Sequence, residues 1–305
     1  MARRMIALAL AVALAMSHAT SALAAEVVVT GDDGVAVVLA APARRIVSLY
    51  AGHSENIVAL GGGFALVGVA EGDDPDLFPG LPRLPIRVDA ERILALEPDL
   101  LLIRPFAESV NEGVLRTLSQ GGVPVLSLSP PLPATMESYL DRLSTVTGAG
   151  DGAAAWRRAL NDLENQVSPR RRPRVFLETS GKGLRTCSPD SWAAMLISLA
   201  GGENAAADAV PLREGSSIAP WGEERLLELA ERGLDFYVVQ AGPMNQVAMD
   251  DVLARPWISG LRGARVVVIE EEEISRPSLL RMERTVRRLR TLFEGERLAE
   301  GDEAR

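Results

Sequence analysis

The sequence predicts an α/β protein built as two α/β lobes with mainly parallel sheets, joined by a long connecting helix. Three observations predict it. Short runs that are apolar on successive residues, the mark of strands covered on both faces, alternate along the chain with helix patterns. The alternation breaks once, between Thr135 and Val167, where two helix patterns follow each other with no strand between them. The length, 305 residues, suits one large or two ordinary domains.

Taken in order, residues 1–25 read as a leader and not as part of the fold. Arg3 and Arg4 precede an unbroken apolar run, Met5 to Met16, and small residues follow, ending in Ala22-Leu23-Ala24. Charge, then apolar, then small is the order of a secretory signal peptide, with cleavage after Ala24 or Ala25. The run is shorter than the ~20 residues a membrane span needs. No cysteine follows it to carry a lipid. The expected product is exported, has no stable membrane insertion, and is periplasmic in a two-membrane host.

The mature chain then opens on a β-hairpin, Val27 to Leu39, with the Asp33-Gly34 pair in its turn and β-branched residues on either side. After Pro42, strands are expected at Ile46–Leu49, Leu100–Ile103, Val123–Leu128, Val175–Leu177, Phe236–Val239 and Val266–Ile269. Helices are expected at Glu55–Leu60, Ala90–Leu96, Glu112–Gln120, Glu137–Thr147, Ala153–Val167, Trp192–Ala200, Glu223–Arg232 and Leu279–Phe293, with a frayed tail after Glu294. Gly148-Ala149-Gly150 separates the two consecutive helices, and Pro169 and Pro173 close the second. The division is therefore 26–150 for the first lobe, 151–172 for the connecting helix and 173–305 for the second lobe.

Composition removes several function classes. The single cysteine, Cys187, rules out an intrachain disulfide and is expected to be a small packed residue. Two histidines, His18 and His53, are too few for a multi-histidine metal site. A formal charge of −9 disfavours nucleic acid as a partner. No Gly-x-Ser-x-Gly elbow and no phosphate-binding loop occur, and Gly61-Gly62-Gly63 follows a helix instead of linking strand to helix. The run Arg170-Arg171-Arg172 is expected to be a solvated turn. What remains is a two-lobed protein without evident catalytic machinery, with a ligand cleft between the lobes at the carboxyl ends of the strands.

Five segments in order carry a family resemblance: Arg45-Ile46-Val47-Ser48-Leu49 followed by Glu55 to Gly61, Leu66-Val67-Gly68-Val69, Glu91 to Leu100, Ala200-Gly201-Gly202-Glu203-Asn204, and Arg276-Pro277. Together they resemble the substrate-binding proteins of ABC importers, of the group with a single connecting helix that serves cobalamin, ferric siderophores and haem. The resemblance covers about residues 27–293. It implies a monomer whose lobes close little, no intrinsic cofactor, and a bound metal chelate as transported ligand, with corrinoid or haem ahead of ferric siderophore. It also implies a permease dimer with its ATPase as partner. Two other classes stay open, a periplasmic enzyme or chelatase on a similar scaffold and a sensor or structural module that meets no transporter.

Within that resemblance the ligand-facing candidates are Tyr50, His53, Ser54, Arg104, Phe106, Trp221, Met244, Asn245 and Arg276. His53 is in position either to ligate the metal of the chelate or to bond near its own helix start. Arg104 is either a partner for a ligand carboxylate or hydroxamate, or a surface residue at a strand end. Trp221, on a Pro-Trp-Gly loop, offers a wall for a planar chelate. Arg276 is either in the cleft or in an ion pair at the start of the last helix. Glu112 and Glu224 match acids that, in the family, dock one on each lobe against permease arginines; helix dipoles alone also favour acids there.

Overall fold

The computed structural model describes residues 26–166 and 172–303, with side chains as far as 295, so residues 1–25, where the leader is expected, lie outside it. The hairpin forms as β1 (Val27–Thr30) and β2 (Ala36–Leu39), paired antiparallel. Its inner residues Val27, Val29, Val37 and Leu39 are buried. Arg142 pairs with Asp32 and the Asp32 N–H donates to the Ser127 carbonyl at 2.8 Å, pinning the turn to the first lobe.

The first lobe contains β3 (Ile46–Ser48), β4 (Leu66–Ala70), β5 (Arg83–Leu84), β6 (Leu100–Ile103) and β7 (Val125–Ser127). They form one parallel sheet in the order β5-β4-β3-β6-β7. The chain starts at the central β3, builds outward to β5, then returns to β6. The order therefore reverses between β3 and β6, and the crevice beyond their carboxyl ends is where open sheets of this kind bind ligands.

The second lobe contains β8 (Arg174–Ser180), β9 (Arg185–Cys187), β10 (Glu203–Asn204), β11 (Ile218–Pro220), β12 (Phe236–Ala241) and β13 (Arg265–Glu270). Its order is β11-β9-β8-β12-β13, with β10 alongside β8. The β8, β12, β13 and β10 pairings are parallel, whereas β9 and β11 add an antiparallel edge that the sequence reading did not include.

The connecting helix runs Gly152–Glu164, with Asp151 capping it by accepting the Ala154 N–H at 2.8 Å. At 1.5 Å per residue it is roughly 20 Å long. Its start lies against helix Met136–Thr147 of the first lobe, so closely that a Cβ on Gly152 would sit 2.3 Å from the Leu140 carbonyl carbon. Only glycine permits that approach. Further along, Trp156 stacks on Trp192 of the second lobe at 6.1 Å. A second helix also spans the lobes. Helix Leu279–Glu303, longer than the expected Leu279–Phe293, packs on helix Ala51–Ala59, on helix Trp192–Leu199 and on the connecting helix. Arg290 from it donates to the carbonyls of Leu163 and Leu199, 2.7 and 2.8 Å away. One apolar core consequently runs through both lobes, from Ile46, Leu100 and Leu126 to Val175, Phe236 and Phe293. Arg172 is not a free linker residue: it donates to the Gly202 carbonyl at 2.6 Å.

Candidate ligand-binding site

The switch point of the first sheet brings together three of the predicted residues. Tyr50 follows β3 and stands just ahead of helix Ala51–Ala59. Arg104 follows β6 and stands just ahead of helix Pro105–Gln120, with proline at the first helical position. The Arg104 guanidinium lies over two aromatic faces, 4.9 Å from the Tyr50 ring centre and 5.5 Å from that of Phe106. Among the described residues the buried Arg104 Nε has no hydrogen-bond partner, and Phe106 is 57% exposed. Burial pushes the Tyr50 hydroxyl up to about 12, against the lowering pull of Arg276 and Arg104. Tyr50 thus senses both Arg104 of its own lobe and Arg276 of the other. The carboxyl ends of β3 and β4 meet the segment that follows β13, since Arg276 also reaches the Gly72 carbonyl at 3.3 Å.

His53 is a correction. It lies in the first turn of the helix, fully buried, with Nε2 3.1 Å from the Ile103 carbonyl and Nδ1 2.7 Å from the Tyr139 hydroxyl. The carbonyl can only accept, so Nε2 carries the proton and Nδ1 accepts from Tyr139. Burial pulls its pKa down to about 4. Both nitrogens are committed inside the protein.

Ser54 is a second correction. It is fully buried, with its Oγ 2.9 Å from Ser48 Oγ and 3.1 Å from Asp73, and its single proton goes to one of the two. Both His53 and Ser54 point inward because the helix begins at Ala51, so residues three and four beyond Tyr50 fall under it, on the sheet side. Gly52 makes room: a Cβ there would sit 2.5 Å from the Tyr50 ring.

In the second lobe Trp221 is 7% exposed, packed with Phe176 and Leu184 and covered by Arg225, whose guanidinium lies 3.6 Å from the ring centre. It belongs to the core and not to an open wall. Asn245 is likewise buried; its side chain donates to Glu178 at 3.1 Å and to the Gln240 carbonyl at 2.8 Å, and accepts from the Gly181 N–H at 3.2 Å. It ties together the loops after β8 and β12 and leaves nothing for a ligand. Its neighbour Met244 is 55% exposed, held through its N–H by Glu271 at 3.1 Å. Arg276 takes the ion-paired alternative, with Glu55 at 2.8 Å and Glu272 at 3.3 Å.

Glu112 follows a kink at Asn111 within helix Pro105–Gln120; its side chain is 82% exposed and pairs with Arg116 one turn on. Glu224 is exposed in the first turn of helix Glu223–Glu231. Cys187 is buried, and burial raises its thiol to about 11, which makes it inert. Sequence reasoning missed two buried charge clusters. One joins Glu55 to Arg276 and Arg281, and the other joins Glu178 to Tyr237 and Arg255. The only signal for either was an acid on an otherwise apolar stretch.

Among the described residues no cluster of three His, Cys, Asp or Glu side chains is placed to hold a metal ion, and no helix is long and apolar enough to cross a membrane. A separate depression of about 430 Å³ lies between the hairpin, β7 and helix Pro105–Gln120, lined by Val35, Val37, Leu115, Val125, Glu108 and Arg116. None of the predicted ligand residues borders it.

No protein-family model matches the chain. It is 28% identical over 243 residues to a vitamin B12-binding protein of Yersinia pestis, covering 77% of this chain and 81% of that protein. A periplasmic haem-binding protein from Pseudomonas aeruginosa is 25% identical, with a TM-score of 0.61 over 82% of this chain and 92% of that one. The periplasmic haem-binding protein of Vibrio cholerae shares the fold at a TM-score of 0.66 and 22% identity, over 82% of this chain and 98% of the other. The fold expected from the sequence, two α/β lobes with mainly parallel sheets, is the fold of these periplasmic solute-binding proteins.

Proposed function

We propose that this chain is the exported solute-binding protein of an ABC importer, and that it captures a metal chelate, a corrinoid or haem, in the groove where the two carboxyl edges converge. The observation that carries the reading is the Arg104 guanidinium, held between Tyr50 and Phe106 at the switch point of the first sheet, with its buried Nε unpartnered among the described residues. A cation flanked by aromatic faces suits a broad apolar plate with an anionic edge. Haem presents carboxylates there, and a nucleotide-bearing corrinoid presents a phosphate diester. Phe106, beyond the carboxyl end of β6 on one lobe, and Met244, beyond that of β12 on the other, supply exposed apolar surface, worth roughly 25 cal/mol for each Å² buried against the ligand. His53 takes no part in holding the metal. Similarity in sequence to vitamin B12-binding proteins supports the same reading.

The test is thermal denaturation with cobinamide, cobalamin, haem and a ferric siderophore, alongside the absorption and mass spectra of whatever co-purifies. One of the four is expected to raise the melting temperature, since saturation at 100 times Kd adds about 2.7 kcal/mol. Arg104→Ala is expected to weaken that ligand about 10–100-fold through loss of a charged hydrogen bond. No shift with any of them at tens of micromolar removes the reading.

Docking to the permease follows from the two exposed acids, Glu112 and Glu224, one on each lobe. Charges so placed steer encounter and fix orientation more than they add affinity. Glu112→Ala combined with Glu224→Ala is expected to leave ligand binding intact and to reduce uptake in a reconstituted transporter. Unchanged uptake defeats the docking assignment.

A further inference from the structure

We propose that Glu55 and Asn56 of the first lobe form a clasp with residues 276–281 of the second, and that this clasp, apart from the connecting helix, sets the width of the groove. The proposal rests on the binding-protein reading for its purpose, but the clasp itself needs no ligand. Glu55 lies one turn into helix Ala51–Ala59 and is fully buried. Its Oε1 accepts from Arg276 Nη1 at 2.8 Å and from Arg281 Nε at 2.7 Å. Arg276 continues to the Gly72 carbonyl, and Arg281 approaches Asp74 at 3.7 Å, so the loop after β4 is gripped as well. Asn56, also fully buried, donates to the Pro277 carbonyl at 2.9 Å and accepts from the Leu279 N–H at 2.9 Å. All of these bonds cross from one lobe to the other.

Two lobes joined by one strap can rotate about it. Here the connecting helix forms one attachment and the clasp forms another, on the helix that Tyr50 precedes. Rotation that widens the groove must draw Arg276 and Arg281 away from Glu55. It would leave a carboxylate without its cations in an apolar setting, which is strongly disfavoured. It must also strip from buried Asn56 its bonds to Pro277 and Leu279, leaving the amide nitrogen its 2.7 Å bond to the Gly52 carbonyl of its own helix. The clasp therefore holds the groove at one width before any ligand arrives, and so selects ligands by their thickness.

The experiment uses the full mature chain without ligand. Spin labels go on Ser109→Cys and Lys182→Cys, exposed positions near the carboxyl ends of β6 and β8; the native Cys187 is buried and leaves labelling to the introduced thiols. The parent is expected to give one narrow distance distribution. Glu55→Gln and Asn56→Ala are each expected to broaden it to about twice its width. Cooperatively folded variants that keep the parent distribution overturn the clasp. If Glu55→Gln does not fold, Asn56→Ala decides alone, because it removes the cross-lobe hydrogen bonds without changing charge. The ligand panel is read on the unlabelled protein, so failure to bind chelates and failure of the clasp are separate results.

Discussion

Arg255→Ala is expected to lower the stability of the protein by about 3–5 kcal/mol, the cost of leaving a buried carboxylate without its cation. The carboxylate is that of Glu178, fully buried near the end of β8. It accepts from Arg255, from the Tyr237 hydroxyl and from Asn245. The Tyr237 oxygen in turn accepts from the Trp257 indole at 3.1 Å, and the tyrosine is pushed well above its ordinary range by burial and by Glu178. Urea midpoints measure the loss. Replacing both charges, as Glu178→Gln with Arg255→Met, is expected to recover most of it, because a buried pair contributes little beyond a neutral packed substitute. A single-variant loss below about 1 kcal/mol contradicts a charged, water-excluded Glu178. The cluster matters to the groove because Asn245, anchored by Glu178, fixes the loop that presents Met244.

Two buried groups are expected to pull the pH dependence of stability in opposite directions, and single substitutions will separate them. His53 is neutral when folded, its pKa lowered by burial from 6.5 to about 4. The unfolded chain binds its proton first as pH falls. The stability His53 contributes is therefore complete above 6.5 and is lost as pH drops towards 4, by about 3 kcal/mol. Asp73 behaves in the reverse sense. Burial raises it from 3.8 to about 6, with Glu55 adding to the rise and bonds from Ser54 and the Ala70 N–H opposing it. Its contribution is complete below 3.8 and is lost as pH rises through 6, by a similar amount, about 3 kcal/mol. In the parent the two nearly cancel between pH 4 and 6. Asp73→Asn is expected to leave a protein that weakens towards acid. His53→Gln, which can still donate to Ile103 and accept from Tyr139, is expected to leave one that weakens towards neutrality. Urea titrations at pH 4, 5, 6 and 7 on both variants decide the matter; slopes of the same sign refute the assignment.

The central strands were legible because β3, β6, β8 and β12 are covered on both faces and carry apolar runs. The connecting helix was legible because Gly148-Ala149-Gly150 separates it from the helix before it and prolines follow it. The antiparallel strands β9 and β11 were not, because three residues are too few to show a period. The misplacement of His53 and Ser54 has one source. The helix after β3 was expected from Glu55, whereas it begins at Ala51 without a capping side chain. Likewise Pro105 marked a helix start seven residues before the expected Glu112. Trp221 and Arg225 stand four apart, the spacing of neighbours on one helical turn, so the covering of the ring was in principle readable. The pairing of Glu55 with Arg276 and Arg281 was not. Such contacts depend on how the whole chain folds back on itself, and neither segment marks its partner.

The placement of helix Leu279–Glu303 has a consequence for the order of assembly. Its opening turn completes the surroundings of Glu55 and Asn56, which lie close to the other end of the chain. The first described helix thus waits for the last to emerge from the ribosome before Glu55 meets its two arginines. Contacts that join such distant positions slow folding and prolong exposure of incomplete intermediates. A chain interrupted before Arg276 would retain every strand of both sheets and still strand an anion in oil.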